Sequence, residues 1–253
     1  MSISESDEYQ LYLNLIFKNL KSNKGFFVDI GASNGISFSN THHLANSPNW
    51  SGLSIEYDSI KYTELLKNQP REEITKEKVK ITVDNIIEVF KKNNVPETIN
   101  FLSIDIDGYD YYVLDKILSN YNCEVIIAEI NEKIPPPITF TVEYDPNYWW
   151  GCNHFYGMSL SQLNLLTKIH PYTITDYIKC NAIMVNNNQL DQNYIKKSIQ
   201  TLYDEGYRLF EHVQPSYNDD VKHWLFLSPE EAIEEINKTF KNFSRYRIGI
   251  LKD

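Results

Sequence analysis

The sequence predicts an α/β fold built on a mostly parallel sheet with helices on both faces. Three observations predict it. Five runs rich in apolar residues alternate with helical stretches between Gly25 and Glu129, and most are continuously apolar, as strands covered on both faces are. The first run, Phe26 to Ile30, passes into Gly31 to Gly35, a small-sided turn too tight to be core. All five runs carry an acid at or beside their carboxyl ends, namely Asp29, Glu56, Asp84, Asp105 and Glu129. Ligands of open parallel sheets collect at the carboxyl ends of the strands, so these acids mark a binding edge.

Ser6 to Asn19 reads as an amphipathic helix, with Leu11, Leu13, Leu15, Ile16 and Leu20 forming its apolar face. After the glycine turn, a helix is expected to start beyond Ser37, where backbone N–H groups could meet a ligand. Gly52 to Asp58 is the second strand. Its Glu56 lies about twenty residues past the turn, the spacing at which an acid meets the ribose hydroxyls of a nucleoside. The turn is not followed by Gly-Lys-Ser or Gly-Lys-Thr, which disfavours a nucleoside triphosphate.

Helix Ile60 to Lys67, strand Lys76 to Asp84 and a helix through Phe90 follow. Next come strand Ile99 to Asp105, helix Tyr109 to Leu118 and strand Cys123 to Glu129. Asn131 to Tyr156 breaks the alternation with three prolines and with Tyr148, Trp149 and Trp150; so long a connection reads as a lid over the site. Ser159 caps a helix to Leu166, and Tyr172 to Ile178 with Asn181 to Val185 reads as a hairpin. The remainder reads as a mostly helical polar tail. The expected organisation is a single domain over 1–253, with a helix in 1–24, a core in 25–188 that includes the 131–158 lid, and a helical appendage in 189–253.

A net charge of −10 argues against non-specific nucleic-acid binding. Cys123, Cys152 and Cys180 lack metal-type spacing and suit a reducing cytoplasm. The acidic first residues contain no leader-type apolar core, and no run approaches membrane-spanning length, so a cytoplasmic location is expected. The oligomeric state is left open.

Val28-Asp29-Ile30-Gly31-Ala32-Ser33-Asn34-Gly35, followed by Ser39-Asn40-Thr41, resembles the first motif of class I S-adenosylmethionine (SAM) methyltransferases, and its Gly-Ala-Ser-Asn-Gly form resembles the FkbM-like branch. Ser33 stands where the commoner pattern has a glycine. Ser103-Ile104-Asp105-Ile106-Asp107-Gly108-Tyr109-Asp110 resembles the fourth motif of the same branch. The resemblance spans roughly Gly25 to Val185 and extends to capsular polysaccharide methyltransferases of campylobacters. It implies a Rossmann-like class I methyltransferase fold, a seven-stranded sheet closed by an antiparallel hairpin.

The resemblance also implies roles. Asp29, Gly31, Ala32, Ser33, Asn34 and Gly35, with Ser39 and Thr41, would hold the methionine half of SAM. Glu56 with Tyr57 would take the ribose, Asp84 with Asn85 the adenine amino group, and Asp105 would face the methyl. Asp105, Glu129, Asn131 and His154 form a candidate oxygen-rich site for Mn²⁺ or Mg²⁺. His154, Asp105 and Asp107 are the candidate catalytic residues, though Asp107 reads equally well as a helix N-cap.

The implied acceptor is a sugar or nucleotide-sugar of a surface polysaccharide, with Lys133, Arg208 and Arg245 as bases for its phosphates. A capsular phosphoramidate oxygen competes as acceptor, and the other class is a non-catalytic scaffold in glycan assembly.

Overall fold

The computed structural model describes Lys18, Leu20 and residues 22–207 and 216–252. The helix expected over Ser6 to Asn19 lies, but for Lys18, outside the described residues. In chain order the strands are β1 (Gly25–Ile30), β2 (Trp50–Glu56), β3 (Ile74–Lys78), β4 (Thr98–Ile104), β5 (Asn122–Glu129), β6 (Ile138–Val142), β7 (Tyr172–Ile178), β8 (Asn181–Asn186) and β9 (Tyr246–Ile250). The α-helices are α1 (His42–Asn46), α2 (Ser59–Asn68), α3 (Ile86–Lys92), α4 (Asp110–Leu118), α5 (Leu160–Leu166), α6 (Ile199–Gly206) and α7 (Pro229–Phe240).

Seven strands make the main sheet in the order β3-β2-β1-β4-β5-β8-β7. β1, β2, β3, β4 and β5 pair in parallel, while β8 joins β5 and β7 antiparallel, so the expected final hairpin closes the sheet. The chain runs outward from β1 to β3 and then returns to β4 on the other side of β1. A crevice opens at such a reversal, and here Ile30 pairs with Ile104, setting Gly31 beside Asp105.

Alternation along the strands supplies both faces of the core. Val28, Ile30, Leu53, Ile55, Leu102 and Ile104 share one buried cluster with Phe90 of α3, Val113 and Leu114 of α4 and Leu160 of α5. Phe27, Phe101, Val125 and Ile127 share another with Leu44 and Ala45 of α1. Each fully buried side chain of this size contributes roughly 1.5–3 kcal/mol. Together they hold the strand tips, and the acids on them, in fixed register.

Four expectations are corrected. The helix after the glycine turn begins at His42, because Asn34 Oδ1 accepts the Ile36 and Ser37 N–H groups and Phe38 takes a left-handed φ of 58°. The third strand is Ile74–Lys78. Beyond it Asn85 ties the chain into a turn, accepting from Thr82 N and donating to Lys80 O. The segment expected as a lid contains β6, and the expected helical tail contains the strand β9 that pairs with it. Phe140, Phe155, Trp224, Ile236 and Phe240 form the buried cluster between this small sheet and α7. A Ser228–Glu231 capping box, with Pro229 in the first turn, starts α7.

Candidate active site

The glycine turn is built from inside. Gly31 N and Ala32 N donate to Ile55 O at 3.0 and 2.9 Å, and Gly35 N donates to Ala32 O at 2.9 Å. Ser33 N donates to Glu56 Oε2 at 2.8 Å, and Asp58 N donates to Glu56 Oε1 at 2.6 Å. Gly31, Ser33 and Gly35 have φ of 86°, 50° and 75°, so Ser33 adopts the backbone that a glycine would otherwise supply. A Cβ on Gly31 would lie 1.7 Å from Asp105 O; only glycine lets β1 and β4 meet this closely at the crevice.

This wiring corrects the expectation that backbone N–H groups around the turn are free to meet a ligand. The N–H groups of Gly31, Ala32, Ser33, Gly35, Ile36 and Ser37 are all spent internally, so the turn suits a ligand that donates hydrogen bonds better than a phosphate. Asp29 lies beside it, 4% exposed, accepting from Thr41 Oγ1 at 2.5 Å. Burial lifts its pKa to about 6, against the lowering effect of its bonds to Thr41 and Ser103. Ser39 Oγ accepts from Thr41 N and His42 N, and His42 Nδ1 meets Gly35 O at 2.9 Å.

At the β2 tip Glu56 is buried and Tyr57 is half exposed. Beyond β3, Asp84 Oδ2 accepts from Tyr144 OH at 2.5 Å. Asn85 is committed to its turn: its N–H donates to Thr82 Oγ1, and both atoms of its amide are bonded within 80–85. Asn85 therefore shapes the tip.

The tips of β4 and β5 are built differently. Asp105, Asp107 and Glu129 offer carboxylate oxygens all within 4.8 Å of one another. Asp107 does not cap the next helix. Tyr109 holds the N-cap position of α4, and Asp107 sits at a left-handed φ of 55°. Asp110, fully buried, sets this turn by accepting from Ile106 N and Gly108 N, both at 2.9 Å. Its role escaped the sequence reading, although a third acid within Asp105-Ile106-Asp107-Gly108-Tyr109-Asp110 was the available signal.

Burial, then the like charges of Asp107 and Asp110, push Asp105 up to about 8, while contact with Glu129 offsets part of this. Burial and Asp110 raise Asp107 to about 6, and burial with Asp105 holds Glu129 well above the usual carboxylate range. Glu129 Oε2 is buried without a partner, as is Oδ1 of Asn131, two residues further along the chain. Such orphaned acceptors cost about 1–3 kcal/mol each. A hard divalent cation would relieve both the repulsion and the missing bonds, so the oxygen set fits Mg²⁺ or Mn²⁺.

His154 is not brought into this group. Its Nε2 meets Asp220 Oδ1 at 2.9 Å and its ring packs on Tyr217, 4.6 Å between centroids. Its carbonyl accepts from Asn131 Nδ2 at 2.8 Å, and Asp107 takes its place among the clustered acids. Lys133 is also withdrawn as a phosphate base: it is 3% exposed and donates to Glu132 and Tyr156. Arg245 remains on the surface, and Arg208 lies outside the described residues.

A switch-point crevice, a turn that offers acceptors, and an acid on the second strand fit the cofactor site of a class I SAM-dependent methyltransferase. The family described as Methyltransferase FkbM domain matches residues 60–209, more than half of the chain, and the chain belongs to that family. The match begins after the glycine turn and Glu56, which are therefore read from their own geometry. No curated protein matches the chain.

Solved structures show a distant likeness. The N-terminal domain of EvdMO1 with S-adenosylhomocysteine (SAH) bound is 10% identical, covering 72% of this chain and 81% of that one at a TM-score of 0.47. TrmK of M. capricolum in complex with SAH is 15% identical, covering 91% and 95% at a TM-score of 0.45. A putative SAM-dependent methyltransferase from Listeria monocytogenes is 9% identical, covering 69% and 96% at 0.45. At these identities no residue role carries over. Among the described residues no helix is long and apolar enough to cross a membrane.

Proposed function

We propose that the protein is a cytoplasmic O-methyltransferase whose acceptor is a nucleotide-linked sugar of capsular or other surface polysaccharide, assisted by a divalent cation. The carboxyl cluster of Asp105, Asp107 and Glu129 carries this reading, because the Asp105 backbone abuts Gly31 of the crevice turn and its carboxyl feels the charge of Asp29. SAM supplies an electrophilic methyl. The acceptor hydroxyl must align with it and lose a proton.

In this reading Asp29 and the carbonyls of the turn accept from the cofactor's ammonium group, and Glu56 accepts from the ribose hydroxyls. Asp84 accepts from the adenine amino group alongside Tyr144. Without a cation, Asp105, its pKa pushed up to about 8, is the group on this edge suited to take the acceptor's proton at mildly alkaline pH. A cation held by Asp105, Asp107, Glu129 and Asn131 Oδ1 would supply Lewis acidity to the hydroxyl. Acidic strand tips and the withdrawal of Lys133 favour a polyhydroxylated acceptor over a bare phosphoramidate, and leave the phosphates of a nucleotide-linked sugar to the cation. The sugar and polysaccharide assignment itself rests on the family resemblance.

Labelled methyl transfer from SAM to a panel of nucleotide-sugars, with Mn²⁺ or with chelator, tests the reading. Cation-stimulated transfer to a hydroxyl, abolished in Asp105→Ala, is expected. Transfer confined to nitrogen acceptors and indifferent to chelator would overturn it.

A further inference from the structure

Residues 143–150 form a strap across the ends of β2, β3 and β4. Tyr144 OH donates to Asp84 Oδ2 at 2.5 Å. Lys80 Nζ donates to Pro146 O at 2.7 Å and to Tyr148 O at 2.9 Å. Tyr148 lies against Gly108, where a Cβ would fall 2.9 Å from its ring. Trp149 meets Tyr57, with ring centroids 6.1 Å apart and planes at 65°. The strap thus touches the residue after the ribose acid, the adenine acid, and the turn that carries Asp107.

Its aromatic residues divide sharply. Tyr148 OH donates to Phe155 O at 2.6 Å, and Trp150 Nε1 donates to Asn153 O at 2.7 Å, so both are committed to the lid's own structure. Trp149 is 66% exposed and Tyr57 50%, with no polar bond holding either ring. Large rings left in water at a binding edge forfeit the burial that aromatic side chains usually gain.

We infer that Trp149 is a cofactor-binding residue, which with Tyr57 forms an aromatic clamp on the adenine base, and that Lys80 positions the strap that presents it. The inference rests on the reading of the crevice as a SAM site. A nucleoside held at Glu56 and reaching toward Asp84 passes along the β2 and β3 tips, and Trp149 is the exposed strap ring at that place. A base between two rings needs them about 7 Å apart, twice the ~3.5 Å contact distance of carbon atoms. The present pair stands edge to face at 6.1 Å, so a base would enter by turning the exposed indole and widening the gap by about 1 Å. Aromatic stacking is tolerant of such adjustment.

Calorimetric titration with SAH and with adenosine, on wild type, Trp149→Ala and Trp149→Phe, tests the clamp. Adenosine has no methionine half, so it isolates the base and ribose. Trp149→Ala is expected to weaken both ligands about tenfold, Trp149→Phe to recover most of the loss, and the melting temperature to stay unchanged. If wild type binds SAH and Trp149→Ala binds both ligands within twofold of it, the clamp is overturned while the crevice reading stands. The clamp is overturned in the same way if SAH weakens and adenosine does not, since Trp149 would then serve the other end of the crevice. If wild type binds neither ligand, the SAM reading falls and the clamp with it.

Discussion

The two sides of the crevice satisfy their polar groups in opposite ways. On the β1–β2 side each Glu56 oxygen accepts a backbone N–H, Asp29 accepts from Thr41, and the glycine turn spends its donors on its own frame. On the β4–β5 side three acids crowd within 4.8 Å, and Glu129 Oε2 and Asn131 Oδ1 have no partner. The first side is complete before any ligand arrives. The second is held in an unfavourable state that a bound cation would resolve, and its cost is borne by the buried strands beneath it.

Substitutions can break or sharpen this contrast. The largest effect is expected for Gly31→Ala, whose Cβ would sit 1.7 Å from Asp105 O on the rigid side. Loss of more than ~4 kcal/mol in urea unfolding is expected. Gly157→Ala, at φ 60° with open space around it, should cost only about 1 kcal/mol. Equal losses would show that backbone conformation, rather than the β1–β4 approach, sets the demand for glycine.

Glu56→Gln comes next. It exchanges a carboxylate that accepts two backbone N–H groups for an amide with one acceptor oxygen, at a cost of about 1–3 kcal/mol together with weaker SAH binding. An unchanged melting temperature would mean the turn holds without its acid.

The open side should respond to pH instead. Asp105 has its pKa raised from 3.8 to about 8 in the folded chain, so the native state keeps a proton that the unfolded chain releases. The stability of the metal-free protein should therefore fall as pH rises from about 4 to about 8, and Asp29 and Asp107, both raised to about 6, act in the same direction. Asp105→Asn should flatten the profile by at least about 1 kcal/mol between pH 5 and pH 8, read from denaturant midpoints. A steeper profile in the variant would place the repulsion elsewhere. The smallest effect is expected for Ser33→Gly, which relieves a φ of 50° and should add about 0.5–1 kcal/mol.

What could be read from the sequence follows the same division. β1, β2, β4, β5 and the β7–β8 hairpin announce themselves as apolar runs with turns at their ends, and the acids on their tips come with them. Local chemistry misled where a side chain closed the backbone, as Asn85 does after β3 and Asn34 does before α1. Non-local pairing was invisible: β9 lies about a hundred residues from β6, and its short alternating stretch carries no sign of its partner. His154 looked available because Asp220, which takes its Nε2, comes from the distant tail. Lys133 looked exposed by its charge, yet Glu132 and Tyr156 allow it to be buried.

The most direct test of the account is calorimetric titration of SAH into the wild-type protein in excess chelator, followed by Mn²⁺. SAH is expected to bind at a single site without metal, because its side of the crevice is already complete, and Mn²⁺ then to bind separately and to be lost in Asp105→Asn while SAH binding persists. Absence of SAH binding, or SAH binding only after Mn²⁺ is added, would contradict it.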